Sequence, residues 1–344
     1  MYSKVVGSNV LIFGDLHFSD VHTGKHKNYL ASCMTVLAQM EKIIEERKPS
    51  AVVLLGDIVG VREINIRSRV VLGQLCKTLQ NIASKCKLYA VRGNHDSGDY
   101  PDYQFLSDLG FFETSEMCKT DDNKLGYFDY FAREDDQYPE IRFHLMDFGC
   151  EDKELVLSES DQTSDVVLAH NNFVIQGCTT WYNSKDGIEL CGMDNLKGVH
   201  MVVSGHIHNP SPQNFITDMR CGGACELFYP GCPTRPSVDQ DYESCWVVRF
   251  ECKNGTTDWF ADDWELASLE DTFITKETFI EEKTDEEIAD EEERKKALKD
   301  VLQDIMSCRL GSNDLESQIR SIPNATEASK EIAITYLNNA LNRK

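Results

Sequence analysis

Five short apolar runs, each ending beside a residue that can bind a metal, limit what this chain can fold into more than any other feature. They occupy residues 9–13 (NVLIF), 51–55 (AVVLL), 87–91 (KLYAV), 165–169 (DVVLA) and 200–204 (HMVVS). Each is of strand length and nearly continuously apolar, the pattern of strands buried on both faces. Residues 28–47 separate the first two runs, and there Leu30, Met34, Leu37, Met40 and Ile44 fall at helical spacing. Residues 66–86 repeat that spacing with Val70, Leu72, Leu75, Leu79 and Ile82. Strand and helix in alternation predict an α/β sandwich. From 220 to 265, short β-like runs, of which 245–250 (CWVVRF) is the clearest, alternate with Gly and Pro turns. They are expected to close the same sheet system.

The first run leads into Gly14-Asp15-Leu16-His17, the second into Gly56-Asp57, and the third through Arg92 into Gly93-Asn94-His95-Asp96. The fourth ends at His170, and the fifth gives Gly205-His206-Ile207-His208. Open α/β sheets place their sites at the carboxyl ends of strands, so these residues are expected on one sheet edge. The glycines before Asp15, Asp57, Asn94 and His206 are expected to let the backbone turn tightly as it leaves each strand. Taken singly, each motif has an ordinary explanation: Gly-Asp is commonly a turn, a strand-end His is usually a satisfied one, and Asn-His-Asp is a loop. Five such motifs closing five core strands point instead to a metal centre. His22, His26, His144 and His200 have no comparable context.

The donor set Asp15, His17, Asp57, Asn94, His170, His206 and His208 mixes oxygen and imidazole and contains no Cys. Such a set suits Mn²⁺, Fe²⁺ or Zn²⁺ and does not suit a thiolate site. Seven donors exceed what one ion with an open position needs. Two ions about 3.5 Å apart, sharing a carboxylate, account for the number.

In order, DLH, GD, GNHD, a strand-end His and GHIH resemble the motifs of the calcineurin-like metallophosphoesterase superfamily, over roughly residues 9–265. The resemblance implies a four-layer α/β/β/α sandwich. It also implies that Asp15, His17, Asp57 and His208 hold one divalent ion, that Asp57, Asn94, His170 and His206 hold the other, and that Asp57 bridges them. His95 would be no ligand but a catalytic residue that steadies the transition state or protonates the leaving oxygen. Two cations would neutralise a phosphodiester and its added transition-state charge.

A narrower resemblance is to the SbcD-type nuclease subunit, especially its phage-encoded relatives. It rests on Ile58-Val-Gly-Val-Arg-Glu-Ile-Asn65, on Phe228-Tyr-Pro-Gly-Cys-Pro-Thr-Arg235, and on the order of closing strand, accessory segment and helical tail. It implies a Mn²⁺-dependent exonuclease and endonuclease acting on DNA in recombination and repair. It implies, too, a homodimer formed through helices near the second motif and an SbcC-like coiled-coil ATPase as partner. Many members carry a second histidine three residues after the bridging Asp; here that residue is Gly60. A phosphatase or small-molecule phosphodiesterase of the same superfamily is the alternative. A scaffold that kept only the fold would have no need of seven matched donors.

The formal charge of −23 argues against a general coating of nucleic acid. Affinity for DNA comes largely from phosphate neutralisation, so a DNA substrate is expected to be held with a partner's help. Residues 1–265 read as the phosphoesterase domain and 266–344 as an acidic linker and helical docking segment. Residues 261–310 hold 17 Asp or Glu against 7 Lys or Arg. Leu298, Val301, Leu302, Ile305, Ile332, Ile334, Tyr336 and Leu337 are the apolar residues expected to dock on the ATPase, the alternative being a helix pair packed on its own domain.

Thirteen scattered cysteines, an odd count, suit reduced thiols in a cytosol-like compartment, the host cytoplasm if the chain is phage-encoded. Cys221, Cys225 and Cys232 are close enough to consider zinc, but their spacing is no standard knuckle and no fourth ligand is evident. They read as buried thiols. No apolar run approaches the roughly 18 residues of a membrane span. The N-terminal residues run straight into a strand pattern rather than a signal peptide.

Overall fold

The computed structural model describes residues 3–20, 29–60, 66, 68–96, 101–175, 187–236, 240, 242–253, 256–266, 320 and 330. The chain divides into two compact units, Met1–Glu277 and Thr278–Lys344. The second contributes only Arg320 and Lys330 to the described residues. The apolar tail residues read as a docking surface, and His22 and His26, lie outside the described residues.

In chain order the strands are β1 (Ser3–Val6), β2 (Asn9–Phe13), β3 (Ala51–Leu54), β4 (Lys87–Ala90), β5 (Glu113–Thr114), β6 (Gly126–Phe131), β7 (Ile141–Met146) and β8 (Ser164–Ala169). There follow β9 (Phe173–Val174), β10 (Ile188–Glu189), β11 (Val199–Ser204), β12 (Phe215–Asp218), β13 (Ala224–Phe228), β14 (Ser244–Lys253) and β15 (Thr256–Glu265). The helices are α1 (Tyr29–Arg47), α2 (Arg69–Ala83) and α3 (Pro101–Asp108), the first two falling within the segments the apolar spacing marks. Among the described residues no helix is long and apolar enough to cross a membrane.

One large sheet has the order β15-β14-β2-β3-β4-β5 and a second β1-β6-β7-β8-β11-β13-β12, while β9 and β10 pair with each other. β2, β3, β4 and β5 are parallel, and β14 joins β2 antiparallel. In the second sheet β7, β8, β11 and β13 are parallel. The five apolar runs therefore do not end on one edge of one open sheet: three belong to the first sheet and two to the second. The sequence pattern cannot tell these cases apart. A strand covered by helices on one face and by a second sheet on the other is as continuously apolar as one between two helix layers.

Side chains alternate across β2 with period two. Leu11 and Phe13 face α1 and α2, where Val36, Leu37, Met40, Leu75 and Leu79 complete a helix-side core. Val10 and Ile12 face the second sheet and meet Phe128, Phe143, Val166 and Val203. Each such fully buried side chain contributes roughly 1.5–3 kcal/mol. On its far face the second sheet buries Val167, Ala169, Val202 and Leu227 against Leu190 and Leu196, which come from two 3₁₀ turns, Leu190–Gly192 and Asp194–Leu196.

β6 and β7 carry polar residues in mid-strand, which hides them from a search for apolar runs. Asp129 of β6 accepts two bonds from the Arg142 guanidinium of β7, at 2.7 and 2.9 Å. The same guanidinium lies 4.3 Å over the Tyr127 ring. His144 is fully buried and its Nε2 meets Asp165 Oδ1 at 2.8 Å.

Candidate metal centre

The strand ends of both sheets meet, and there the fold brings together all seven donors. Asp15, His17, Asp57 and His170 are buried, while Asn94, His206 and His208 are partly exposed. The loops after β2 and β3 run side by side: His17 N–H donates to Asp57 C=O at 2.7 Å and Phe18 N–H to Ile58 C=O at 3.0 Å. Asp96 binds the loop after β3 to the loop after β4. Its carboxylate accepts from Ile58 N–H at 3.1 Å, Val59 N–H at 3.4 Å and Gly93 N–H at 3.0 Å. It thus holds backbone.

The glycines act mainly through their size. Of the four that precede donors, only Gly56 has a left-handed backbone, with φ +92°. A Cβ on Gly93 would lie 2.1 Å from Asp57 Oδ1, and one on Gly205 2.3 Å from Asp15 Oδ1. One on Gly14 would lie 2.0 Å from the carbonyl oxygen of Gly231. The tight turning falls instead on the donors themselves: φ is +45° at His17, +45° at Asp57 and +74° at His206. Non-glycine residues held there cost on the order of 1–3 kcal/mol each, and such strain gathers at functional sites.

Backbone carbonyls set the imidazole tautomers. A carbonyl can only accept, so His17 Nδ1 carries the hydrogen it gives Gly60 at 2.8 Å, and His170 Nδ1 carries the one it gives Leu55 at 2.6 Å. The Nε2 atoms of both rings then turn toward the other candidate ligand atoms. His17 Nε2 lies 3.5 Å from Asp57 Oδ2 and 2.9 Å from His208 Nε2. His170 Nε2 lies 3.2 Å from the same Asp57 Oδ2 and 3.1 Å from Asn94 Oδ1, which is also 2.9 Å from His206 Nδ1. Asp15 Oδ2 is 3.7 Å from His208 Nε2 and 3.9 Å from His17 Nε2.

Imidazole nitrogens and carboxylate and amide oxygens that converge at such distances suit a divalent cation. Asp57 Oδ2 is within reach of both groups of donors. Backbone N–H groups secure both carboxylates: His95 N–H on Asp57 Oδ1 at 2.8 Å, and His206 N–H on Asp15 at 3.0 and 3.1 Å.

The electrostatics agree. Burial, with help from His95 and His170, lowers His17 to about 4. Burial and the nearby His170 likewise bring His206 to about 4. Burial takes His208 well below its usual range. These rings are neutral and offer lone pairs. Burial and the Asp57 carboxylate push Asp15 up to about 8. At His170 burial is overcome by the carboxylates of Asp57 and Asp15, which raise it to about 10, the mark of a place that calls for positive charge. The same ring, with His17 and His95, holds Asp57 below its ordinary range against burial. The donor set therefore fits two divalent ions.

His95 lies at the mouth, half-buried, its ring 5.1 Å from that of His17. Gly60, in place of a second histidine, supplies the carbonyl that orients His17. Three neighbours carry no signal in the sequence spacing. The Gln240 amide meets His208 Nδ1. Phe148, 39 % exposed, sets its ring 5.8 Å from that of His206. Cys232 places Sγ within 4.8 Å of donor atoms of His17 and His208. Cys232 thereby parts from Cys221 and Cys225, which pack in the core on the far face of the second sheet.

The model of the calcineurin-like phosphoesterase family matches residues 8–210. No curated protein matches the chain. Among solved structures, a dimetal phosphatase from Danio rerio matches at 11 % identity and TM-score 0.40, over 76 % of this chain and 98 % of that one. Yfce, a phosphoesterase from E. coli, matches at 14 % identity and TM-score 0.31, over 75 % and 100 %. Similarity this low carries no argument about substrate.

Proposed function

The chain belongs to the calcineurin-like phosphoesterase family, and from that premise we propose that it is a two-metal phosphodiesterase that cleaves DNA. One observation carries the two-metal reading: Asp57 Oδ2 stands between the Nε2 atoms of His17 and His170, at 3.5 and 3.2 Å, each nitrogen also facing a further candidate ligand atom. Asp15, His17, Asp57 and His208 would hold one ion, and Asp57, Asn94, His170 and His206 the other; Mn²⁺, the ion the SbcD-type resemblance implies, suits such donors, as do Fe²⁺ and Zn²⁺. Ions held there would supply the charge that offsets a phosphodiester's transition state and would make water acidic enough to attack phosphorus.

The chain's own groups do the rest. The carbonyls of Gly60 and Leu55 fix His17 and His170, and the N–H groups of His95 and His206 fix the two carboxylates. Half-buried His95 would protonate the departing oxygen.

Two features support DNA as the substrate. The exposed ring of Phe148 beside His206 offers a face on which a base can stack. The Tyr229-Pro-Gly-Cys232 turn, the segment that resembles SbcD-type nucleases, packs directly on Gly14. The charge of −23 fits a subunit whose grip on DNA comes from a partner, an SbcC-like ATPase bound by residues 266–344. Val70, 74 % exposed on α2, supports that helix as a homodimer surface.

The test compares bis-p-nitrophenyl phosphate, p-nitrophenyl phosphate and end-labelled linear DNA with Mn²⁺, with and without a candidate ATPase. Diester and DNA turnover should exceed monoester turnover. Monoester turnover without DNA cleavage would overturn the nuclease reading and leave a phosphatase.

A further inference from the structure

The oxygen and nitrogen donors do not complete the surroundings of this centre, because a thiol lies against one half of it. Sγ of Cys232 and one ring nitrogen each from His17 and His208 all lie within 4.8 Å of one another, and Cys232 is fully buried. The thiol is held there by the backbone. Cys232 N–H donates to His208 C=O at 2.8 Å, and Cys232 C=O accepts from Tyr242 O–H at 2.6 Å. Immediately before it, Gly231 takes φ +88° and fills the space beside Gly14 with its carbonyl. Thr234 Oγ1 lies 3.4 Å from Sγ and gives its own proton to Leu16 C=O at 2.8 Å. It can therefore only accept from the thiol.

The two halves of the centre thus differ in kind. Around His170 and His206 the extra donor is the amide oxygen of Asn94, a hard ligand. Around His17 and His208 it is sulfur, a soft one. Soft thiolate ligands select Zn²⁺ and other thiophilic ions, whereas oxygen ligands suit Mn²⁺.

We propose that Cys232 is a metal ligand, and that its Sγ makes the His17–His208 position selective for a thiophilic divalent ion while the His170–His206 position keeps an oxygen-preferring one. As the sulfur–metal bond forms, the thiol proton leaves to solvent. The proposal rests on the two-metal reading above.

The two ideas separate in one experiment, titration of the metal-free protein with Co²⁺. Visible d–d bands report binding at the oxygen and nitrogen donors; a near-ultraviolet sulfur-to-cobalt charge-transfer band reports the thiolate. The wild type should show both. Cys232→Ser should keep the d–d bands, lose the charge-transfer band and bind Cd²⁺ roughly tenfold or more weaker, the size of effect seen on losing a supporting metal contact. Its Mn²⁺ affinity should change far less. Cys232→Ala serves as a second variant, with its melting temperature as the check on folding. In the wild type, d–d bands with no charge-transfer band would overturn the proposal and leave the two-metal reading standing. A charge-transfer band that survives in both variants would assign the sulfur to another cysteine and overturn it equally. Absence of both bands would overturn both.

Discussion

The metal centre and the β7–β8 polar cluster both bury histidine against aspartate, yet they are opposite in kind. In the cluster every contact pairs a donor with an acceptor. His144 Nε2–H gives to Asp165, whose oxygens also take Ser158 N–H at 3.4 Å, and Arg142 gives to Asp129. In the centre, several candidate ligand atoms crowd each point: His170 Nε2 faces both Asp57 Oδ2 and Asn94 Oδ1. Buried polar groups are ordinarily hydrogen-bonded, and leaving them otherwise is costly. A buried His–Asp pair is therefore no sign of chemistry by itself. What marks a site is the convergence of imidazole, carboxylate and amide ligand atoms from five separate strand ends.

The widest gap between the two regions should appear on removing one carboxylate from each. Asp57→Ala is expected to cut phosphodiester turnover by at least about 10³-fold. It should also abolish the rise in melting temperature that Mn²⁺ gives the wild type, since an ion that binds only the folded state stabilises it. Scanning calorimetry with and without Mn²⁺ checks the second point; a retained rise would mean that Asp57 is not shared by the ions.

Gly93→Ala probes the centre's packing alone. The new Cβ would fall 2.1 Å from Asp57 Oδ1 and 2.4 Å from its backbone nitrogen, so the loop must shift. Misplacement of about 1 Å lowers kcat roughly 10²-fold. Wild-type kinetics from a folded Gly93→Ala protein would refute the claim that this glycine is kept for space.

Asp165→Ala belongs to the other region. It should cost about 1–3 kcal/mol in urea unfolding, by stranding His144 and Ser158, and leave turnover and the Mn²⁺ effect intact. The smallest effect is one of pH. Burial, opposed by Asp165, lowers the pKa of His144 below its ordinary 6.5. The unfolded chain therefore binds the proton first. The stability tied to this group is complete above about 6.5 and is lost as pH falls toward the depressed folded value. Below pH 6.5 the wild type should lose up to ~1.4 kcal/mol per pH unit relative to His144→Gln. Parallel stability–pH curves for the two proteins would place the acid sensitivity elsewhere.

That these seven residues come together was legible because each sits in a short motif at the end of an apolar run, and local sequence order puts it there. Their separation into two sheets was not, since Val10 and Leu11 look equally apolar whichever layer covers them. β6 and β7 escaped notice because Asp129, Arg142 and His144 interrupt their apolar pattern in mid-strand. Asp96 could be read as steadying His95 or as holding backbone, and the geometry shows it taking backbone N–H groups from both loops. Cys232 was out of reach, since nothing in its spacing ties it to His17, 215 residues earlier.

The interlocking of loops from distant parts of the chain has a consequence in time. Asp15 takes an N–H bond from a residue 191 positions later, and the Leu16 carbonyl takes an O–H bond from Thr234, 218 positions later. On a ribosome adding about 5–20 residues per second, the first two donors wait roughly ten to forty seconds for the last. For that interval the nascent chain carries half of a binding site with nothing to close it. Capture of both ions by the proposed centre would thereby wait until His208 has emerged, when most of the first unit has been made.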